Sequence, residues 1–156
     1  MITWNTGSIL DAEEDLILHQ VNCQGAMGAG IAGQIAKKWP IVYVKYKLHC
    51  RYHDPHDLLG TVLFVDIGNG QKIVNVFGQL YYGKRENVRY TDYKALEDAF
   101  KFIDRACAGM TVAIPHKLGC GLGRGKWPVV YELIKECFRN CNVTIYQIDQ
   151  PKGEAK

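Results

Sequence analysis

The chain has 156 residues, 47% of them hydrophobic, and a net charge of +3. That length suits one domain, and that apolar fraction supports a sizeable core and excludes a disordered chain. The charge is small and no Lys/Arg run exceeds a pair such as Lys37-Lys38 or Lys84-Arg85, which argues against a nucleic-acid partner.

The opening Met1-Ile2-Thr3-Trp4-Asn5 is neither basic nor followed by an apolar signal core, and no stretch approaches ~18 apolar residues. A cytoplasmic protein with no membrane segment is therefore expected. In that setting the cysteines at 23, 50, 107, 120, 137 and 141 read as reduced thiols.

Leu16-Ile17-Leu18-His19-Gln20-Val21-Asn22 reads as a buried strand. A helix is predicted over 28–38, stopping before Pro40, which opens a second helix to about residue 50. Thr61-Val62-Leu63-Phe64-Val65 and Lys72-Ile73-Val74-Asn75-Val76-Phe77 form a hairpin turned by Gly68-Asn69-Gly70. Leu96, Ala99, Phe100 and Ile103 recur at helical spacing and predict an amphipathic helix over 92–106. Thr111-Val112-Ala113-Ile114-Pro115 is a short buried strand. Val130, Leu133, Ile134, Cys137 and Phe138 make the apolar stripe of a last helix, with Pro128 in its first turn. Val143-Thr144-Ile145-Tyr146-Gln147-Ile148 closes the sheet. Strands alternating with helices, plus one hairpin, predict an α/β fold with a mixed sheet covered on both faces. Residues 1–150 read as one domain and 151–156 as a short polar tail.

Two glycine-rich stretches each follow a strand and precede a helix: Asn22-Cys23-Gln24-Gly25-Ala26-Met27-Gly28-Ala29-Gly30-Ile31-Ala32 and His116-Lys117-Leu118-Gly119-Cys120-Gly121-Leu122-Gly123-Arg124. Glycine lets backbone approach an anion closely, and the helix behind it offers unpaired N–H groups and a positive dipole end. Ligands of open α/β sheets bind beyond the carboxyl ends of the strands. Two such loops on one edge fit a nucleotide diphosphate.

Around them lie side chains with two readings each. Asn22 can hold ribose hydroxyls or form a turn. His19 can be a proton donor, acceptor or nucleophile, or a strand histidine satisfied by its neighbours. Met27 and Leu122 offer apolar contact or core packing. His116, Lys84 and Arg85 can meet a phosphate or simply face solvent, and Tyr146 can stack on a base or fill the core. His49-Cys50-Arg51-Tyr52-His53-Asp54-Pro55-His56 and the pair Cys137 and Cys141 match no metal-site spacing, so neither metal nor cofactor is expected.

Taken together, Val21-Asn22, Met27-Gly28-Ala29-Gly30-Ile31-Ala32 and Gly119-Cys120-Gly121-Leu122-Gly123 with Trp127 resemble the macro domain, an ADP-ribose-binding fold. The resemblance runs from Thr6-Gly7-Ser8-Ile9-Leu10 to Thr144-Ile145-Tyr146 and implies a three-layer α/β/α fold. It is strongest to the small stand-alone branch, which contains an ADP-ribose-1″-phosphate phosphatase and a glycohydrolase that removes ADP-ribose from acidic side chains or DNA. The resemblance places Ser8 and Ile9 near adenine and Tyr146 beside the adenosine. It puts Asn22 at the distal ribose, and Met27, Gly28, Ala29, Gly30, Ile31 and Ala32 around that ribose and the diphosphate. Leu118, Gly119, Cys120, Gly121, Leu122 and Gly123 form the second diphosphate loop. His19 stands where the phosphatase branch carries a histidine, so His19 and Asn22 are the expected catalytic pair.

Three positions depart from the family pattern. Ser8 replaces an aspartate that reads the adenine amino group. Gln79 and Gly123 replace the lysine and aspartate of the glycohydrolase branch, and an amide cannot form a Schiff base. The expectation is thus a monomeric phosphatase of ADP-ribose-1″-phosphate acting on a small molecule. Glycohydrolase and non-catalytic reader are the alternatives.

Overall fold

The computed structural model describes residues 1–148, so the expected tail at 151–156 lies outside the described residues. Six strands form one sheet in the order β1-β6-β5-β2-β4-β3. They are β1 (Ile2–Thr6), β2 (Leu16–Asn22), β3 (Val62–Asp66), β4 (Lys72–Gln79), β5 (Thr111–Pro115) and β6 (Asn142–Gln147). All neighbours run parallel except β3 and β4, the hairpin expected from Gly68-Asn69-Gly70. Asp66 starts that turn by accepting from Gly68 N at 2.9 Å.

Alternation along each strand sends successive side chains to opposite faces. Leu16, Leu18, Val74, Val76, Val112 and Ile114 pack under α4 (Tyr93–Ala106) and α5 (Trp127–Cys137). Ile17, Val21, Ile73, Phe77 and Ala113 pack under α1 (Gly30–Lys38) and α2 (Pro40–Arg51). The result is the expected three layers around a mixed sheet.

The helix starts have local causes. Asp92 caps α4 by accepting from Ala95 N at 3.0 Å. Pro40 and Pro128 occupy first-turn positions, where the missing N–H costs nothing. α1 starts at Gly30 rather than at residue 28, because its first ladder bond runs from Gly33 N to Ala29 O at 3.1 Å. Gly28 and Ala29 therefore stay in the loop.

Three elements were not foreseen, one of them the short 3-10 turn Ile9–Asp11. β1 is an edge strand of mostly exposed residues with no apolar alternation. A four-residue helix, α3 (Pro55–Leu58), sits in the histidine-rich stretch, capped by Asp54. The histidines there are committed locally. His53 Nδ1 pairs with His49 O at 2.8 Å, and the two rings lie 4.2 Å apart. Cys137 and Cys141 face carbonyls of Glu97 and Cys107 in the core.

Candidate active site

Three adjoining cavities follow the carboxyl edge of the sheet. The central one, about 340 Å³, is lined by His19, Gln79, residues 29–32 of the first loop and residues 117–123 of the second. A distal one, about 580 Å³, shares Gln20, Ala29, Ala32, Gln79 and Leu122 with it and adds Asn22, Met27, Gly28, Tyr82 and Lys84. A third, about 290 Å³, shares Ile31, Pro115 and Lys117 with the central cavity and adds Ser8, Ile9, His116 and Tyr146. The seventeen residues expected at the site thus fall along one continuous cleft. No Asp or Glu lines any of the three cavities, while Lys117 and Lys84 do. A cleft with cations and no carboxylate selects anions.

The first loop is braced from inside. Asn22 Oδ1 accepts from Gln24 N at 3.0 Å, Ala26 N at 3.3 Å and Tyr46 Oη at 2.9 Å, and Nδ2 donates to Ala26 O at 2.7 Å. The turn-forming reading of Asn22 is therefore realised. One Nδ2 hydrogen has no acceptor among the described residues. Met27 is buried in the core and also lines the distal cavity. At the start of α1 no side chain caps the first N–H groups, which leaves them for an anion.

The second loop turns through two positive-φ residues, Lys117 (φ 63°) and Arg124 (φ 63°). A left-handed conformation costs a side-chain-bearing residue roughly 1 kcal/mol. At position 117 it belongs to the tight turn closed by Cys120 N to Lys117 O at 2.8 Å, from which Lys117 lines both the central and the third cavities. Burial pushes the Cys120 thiol up to about 11, so it is no thiolate at neutral pH.

His19 lies under the central cavity, 1% exposed. Asn75 Nδ2 donates to Leu63 O at 3.1 Å, which turns its Oδ1 toward His19 Nε2 at 2.6 Å. Nε2 therefore carries the proton and Nδ1 the lone pair, and Nδ1 has no partner among the described residues. Burial pulls this histidine down to about 4, against the opposing effect of the Asn75 hydrogen bond. Of the roles the sequence offers His19, that of proton donor does not suit this state, because at neutral pH the imidazole is uncharged.

Gln20, one residue on, points to the other face. Its Nε2 donates to Gln79 Oε1 at 2.7 Å and Thr91 Oγ1 at 2.9 Å, and Thr91 Oγ1 donates to Gly119 O at 2.6 Å. A register shift after Val21 in the β2–β4 ladder places Gln79 opposite Asn22. Gln79 and Gly123, the two positions of the glycohydrolase pair, thus meet in a neutral amide–hydroxyl network. A Cβ at Gly123 would collide with Thr91 Oγ1 and lie 2.8 Å from Gly119 O, so an aspartate does not fit there. Gln20, Asn75 and Thr91 were missed by sequence. Gln20 and Asn75 had one usable signal, polar residues inside otherwise apolar strands.

At the third cavity, Ser8 Oγ accepts from Leu10 N at 3.1 Å and caps the 3-10 turn Ile9–Asp11. Tyr146 is 8% exposed, and its hydroxyl donates to the Glu14 carboxylate at 2.7 and 2.8 Å. It is a core tyrosine that also lines the cavity. His116 packs edge-on against Trp127 at 4.9 Å and Trp4 at 5.6 Å. Burial, with Lys117 nearby, lowers its pKa.

This geometry is that of an anion-binding cleft on a three-layer α/β/α sheet, and sequence comparison identifies the class. The macro domain family model matches residues 18–134, and the chain belongs to that family. An ADP-ribose 1″-phosphate phosphatase of Debaryomyces hansenii is 31% identical over 86% of this chain and 88% of its own. A DNA ADP-ribosyl glycohydrolase of Mycobacterium tuberculosis is 29% identical over 100% of this chain, which spans 44% of that protein. The macrodomain of Mycobacterium tuberculosis DarG superposes with a TM-score of 0.76 at 26% identity, covering 96% of this chain and 99% of that one. Among the described residues no helix is long and apolar enough to cross a membrane.

Proposed function

We propose that the protein binds ADP-ribose-type ligands along this cleft and hydrolyses ADP-ribose-1″-phosphate to ADP-ribose and phosphate. The observation that carries the reading is the continuous, carboxylate-free cleft between two glycine loops, with lysines on its central and distal cavities. The adenosine lies by Ser8, Ile9 and Tyr146. The diphosphate lies between residues 28–32 and 118–123, and the distal ribose lies by Asn22. The phosphatase relative from Debaryomyces hansenii, matched over most of both chains, supports the reaction.

Of the roles open to His19, the neutral imidazole leaves those of proton acceptor and nucleophile, and the second is proposed. Nδ1 attacks phosphorus and the P–O1″ bond breaks, with water protonating the departing oxygen. A second water then cleaves the P–N bond and releases phosphate. Asn75 holds the Nε2–H tautomer, which leaves the lone pair on Nδ1, an atom buried at the cleft floor that the attack requires to be uncovered. The 1″-phosphate then lies where the central cavity, lined by His19, adjoins the distal one, and backbone N–H groups of the two loops offset the developing charge. Phosphate release from ADP-ribose-1″-phosphate, lost in His19→Ala while ADP-ribose still binds by calorimetry, is the expected result. Full activity of His19→Ala rejects the role of His19.

The second reading is removal of ADP-ribose from protein or nucleic acid, favoured by the Mycobacterium tuberculosis relative. The amide at Gln79 and the filled space at Gly123 weigh against a lysine–aspartate mechanism. Release of ADP-ribose from a modified macromolecule, abolished in Lys84→Ala, selects this reading instead. Binding without turnover of either substrate selects a reader. The reading takes residues 1–150 as a monomeric single domain that acts on a small molecule rather than on nucleic acid. It places the protein in the cytosol, in keeping with six free cysteines.

A further inference from the structure

The segment between β4 and α4 straps across the distal cavity and is fixed at both sides. Toward the first loop, Tyr82 N donates to Gln24 Oε1 at 3.1 Å and Cys23 N to Leu80 O at 3.2 Å. Toward the second, the N–H groups of Tyr90 and Thr91 both donate to Gly123 O at 2.9 Å. Between these anchors the strap closes on itself. Arg85 N donates to Tyr90 Oη at 3.3 Å, and Gly83 lies so close to the same ring that an added Cβ would sit 2.6 Å from its Cζ. Lys84 stands between these two fixed residues.

Lys84 lines the distal cavity with Asn22, Gln79 and Tyr82. The ion pairs among the described residues do not include it. Glu86 on the same strap is exposed and lines none of the three cavities, and Arg89 is engaged over the Tyr93 ring at 4.1 Å. Lys84 is therefore the one cation lining the distal cavity, as Lys117 is the one lining the central cavity. A ligand with a diphosphate alone satisfies Lys117 and leaves Lys84 without an anion. A ligand with a further phosphomonoester on its distal ribose satisfies both.

We infer that Lys84, held by the Gly83–Tyr90 contact, is the anchor for the terminal phosphate and the residue that distinguishes substrate from product. The inference rests on the phosphatase reading above. Once the phosphate leaves, the lysine loses its partner and retention of ADP-ribose falls back on the glycine loops. The strap, rather than the chemistry beneath it, then sets the preference for the phosphorylated form.

The test is calorimetric titration of the wild type, Lys84→Met, Lys84→Arg and Gly83→Ala with ADP-ribose and with ADP-ribose-1″-phosphate, in the cold. Phosphate release is followed in the same cell. Lys84→Met is expected to weaken the 1″-phosphate by about tenfold, the scale of one charge-assisted contact, and to leave ADP-ribose within about twofold. Lys84→Arg restores most of the preference. Gly83→Ala, which keeps the lysine but pushes the strap off Tyr90, loses it. A Lys84→Met variant that weakens both ligands alike, or neither, while the wild type binds both, overturns the inference and leaves the phosphatase reading standing. A wild type that binds neither ligand overturns both.

Discussion

A methyl group added at Gly28 or Gly30 of the first loop meets no atom within 4 Å, whereas one added at Gly119 or Gly125 of the second lies 2.7 Å from Gln20 Oε1 or the Gly119 carbonyl. The two loops look alike in sequence and use glycine for different ends. In the first loop, Gly28 and Gly30 leave backbone bare beside the cavities. In the second, Gly119 and Gly123 make room for the protein's own Gln20–Thr91 network, and Gly121 alone is bare. Their braces differ in the same way. The Asn22 side-chain Oδ1 accepts three hydrogen bonds, while Gln20 Oε1 accepts none among the described residues. A glycine-rich motif therefore marks close approach without saying what approaches.

The largest effect that would break this contrast is at the second loop. Gly119→Ala forces a side chain into φ +74° against Gln20 and should cost about 3 kcal/mol, read as a lower urea midpoint. If its stability is unchanged, the second loop is not packed as described. Next comes Asn22→Ala, which strips the acceptor from Tyr46 Oη and two loop N–H groups. A loss of about 2 kcal/mol is expected in the same assay, with ADP-ribose affinity falling beyond what stability explains.

A third test uses acid. His19 is buried and neutral with a pKa of about 4, below the ~6.5 of an unfolded histidine. The unfolded chain therefore binds the extra proton, and the contribution of His19 is full above about pH 6.5. It is lost at up to about 1.4 kcal/mol per pH unit as pH falls toward 4. Urea titrations from pH 7 to 4 should show that slope, and His19→Asn should flatten it. Equal slopes in both proteins would place the acid sensitivity elsewhere. The smallest effect on stability belongs to Gly28→Ala, within about 0.5 kcal/mol of wild type because nothing crowds the new methyl. Its ADP-ribose affinity should nevertheless drop about tenfold, since the methyl occupies the ligand's line of approach. Unchanged binding would mean the first loop is not the diphosphate cradle.

Much of this architecture was legible because apolar runs and turn residues are local signals. Thr111–Pro115 was bounded to the residue, and Gly68-Asn69-Gly70 marked the hairpin. β1 escaped because an edge strand with one exposed face and a bare side has no need of apolar alternation. Both glycine loops were visible for the same local reason, and the three cavities bring their residues together. What supports them was not visible. His19 meets Asn75 across 56 positions and Gln20 meets Thr91 across 71, pairings that exist only once β2 lies beside β4. The uncharged state of His19 was illegible too, since it follows from burial rather than residue type. The sequence leaves Lys84 either meeting a phosphate or facing solvent; it is exposed and lines the distal cavity, on a strap closed through Tyr90, which no spacing rule connects to it.

The bond from Tyr46 carries one more consequence. Its hydroxyl, fully buried on α2, also donates to the Asn22 carbonyl at 2.7 Å, tying the first loop to the core beneath it. In hydrogen-exchange terms, the Gln24 and Ala26 amides bonded to Asn22 should be protected as the core strands are, opening with global unfolding rather than on a loop's own timescale. A loop that is already ordered gives up little entropy when a ligand arrives, so the cradle is preorganised by the helix behind it.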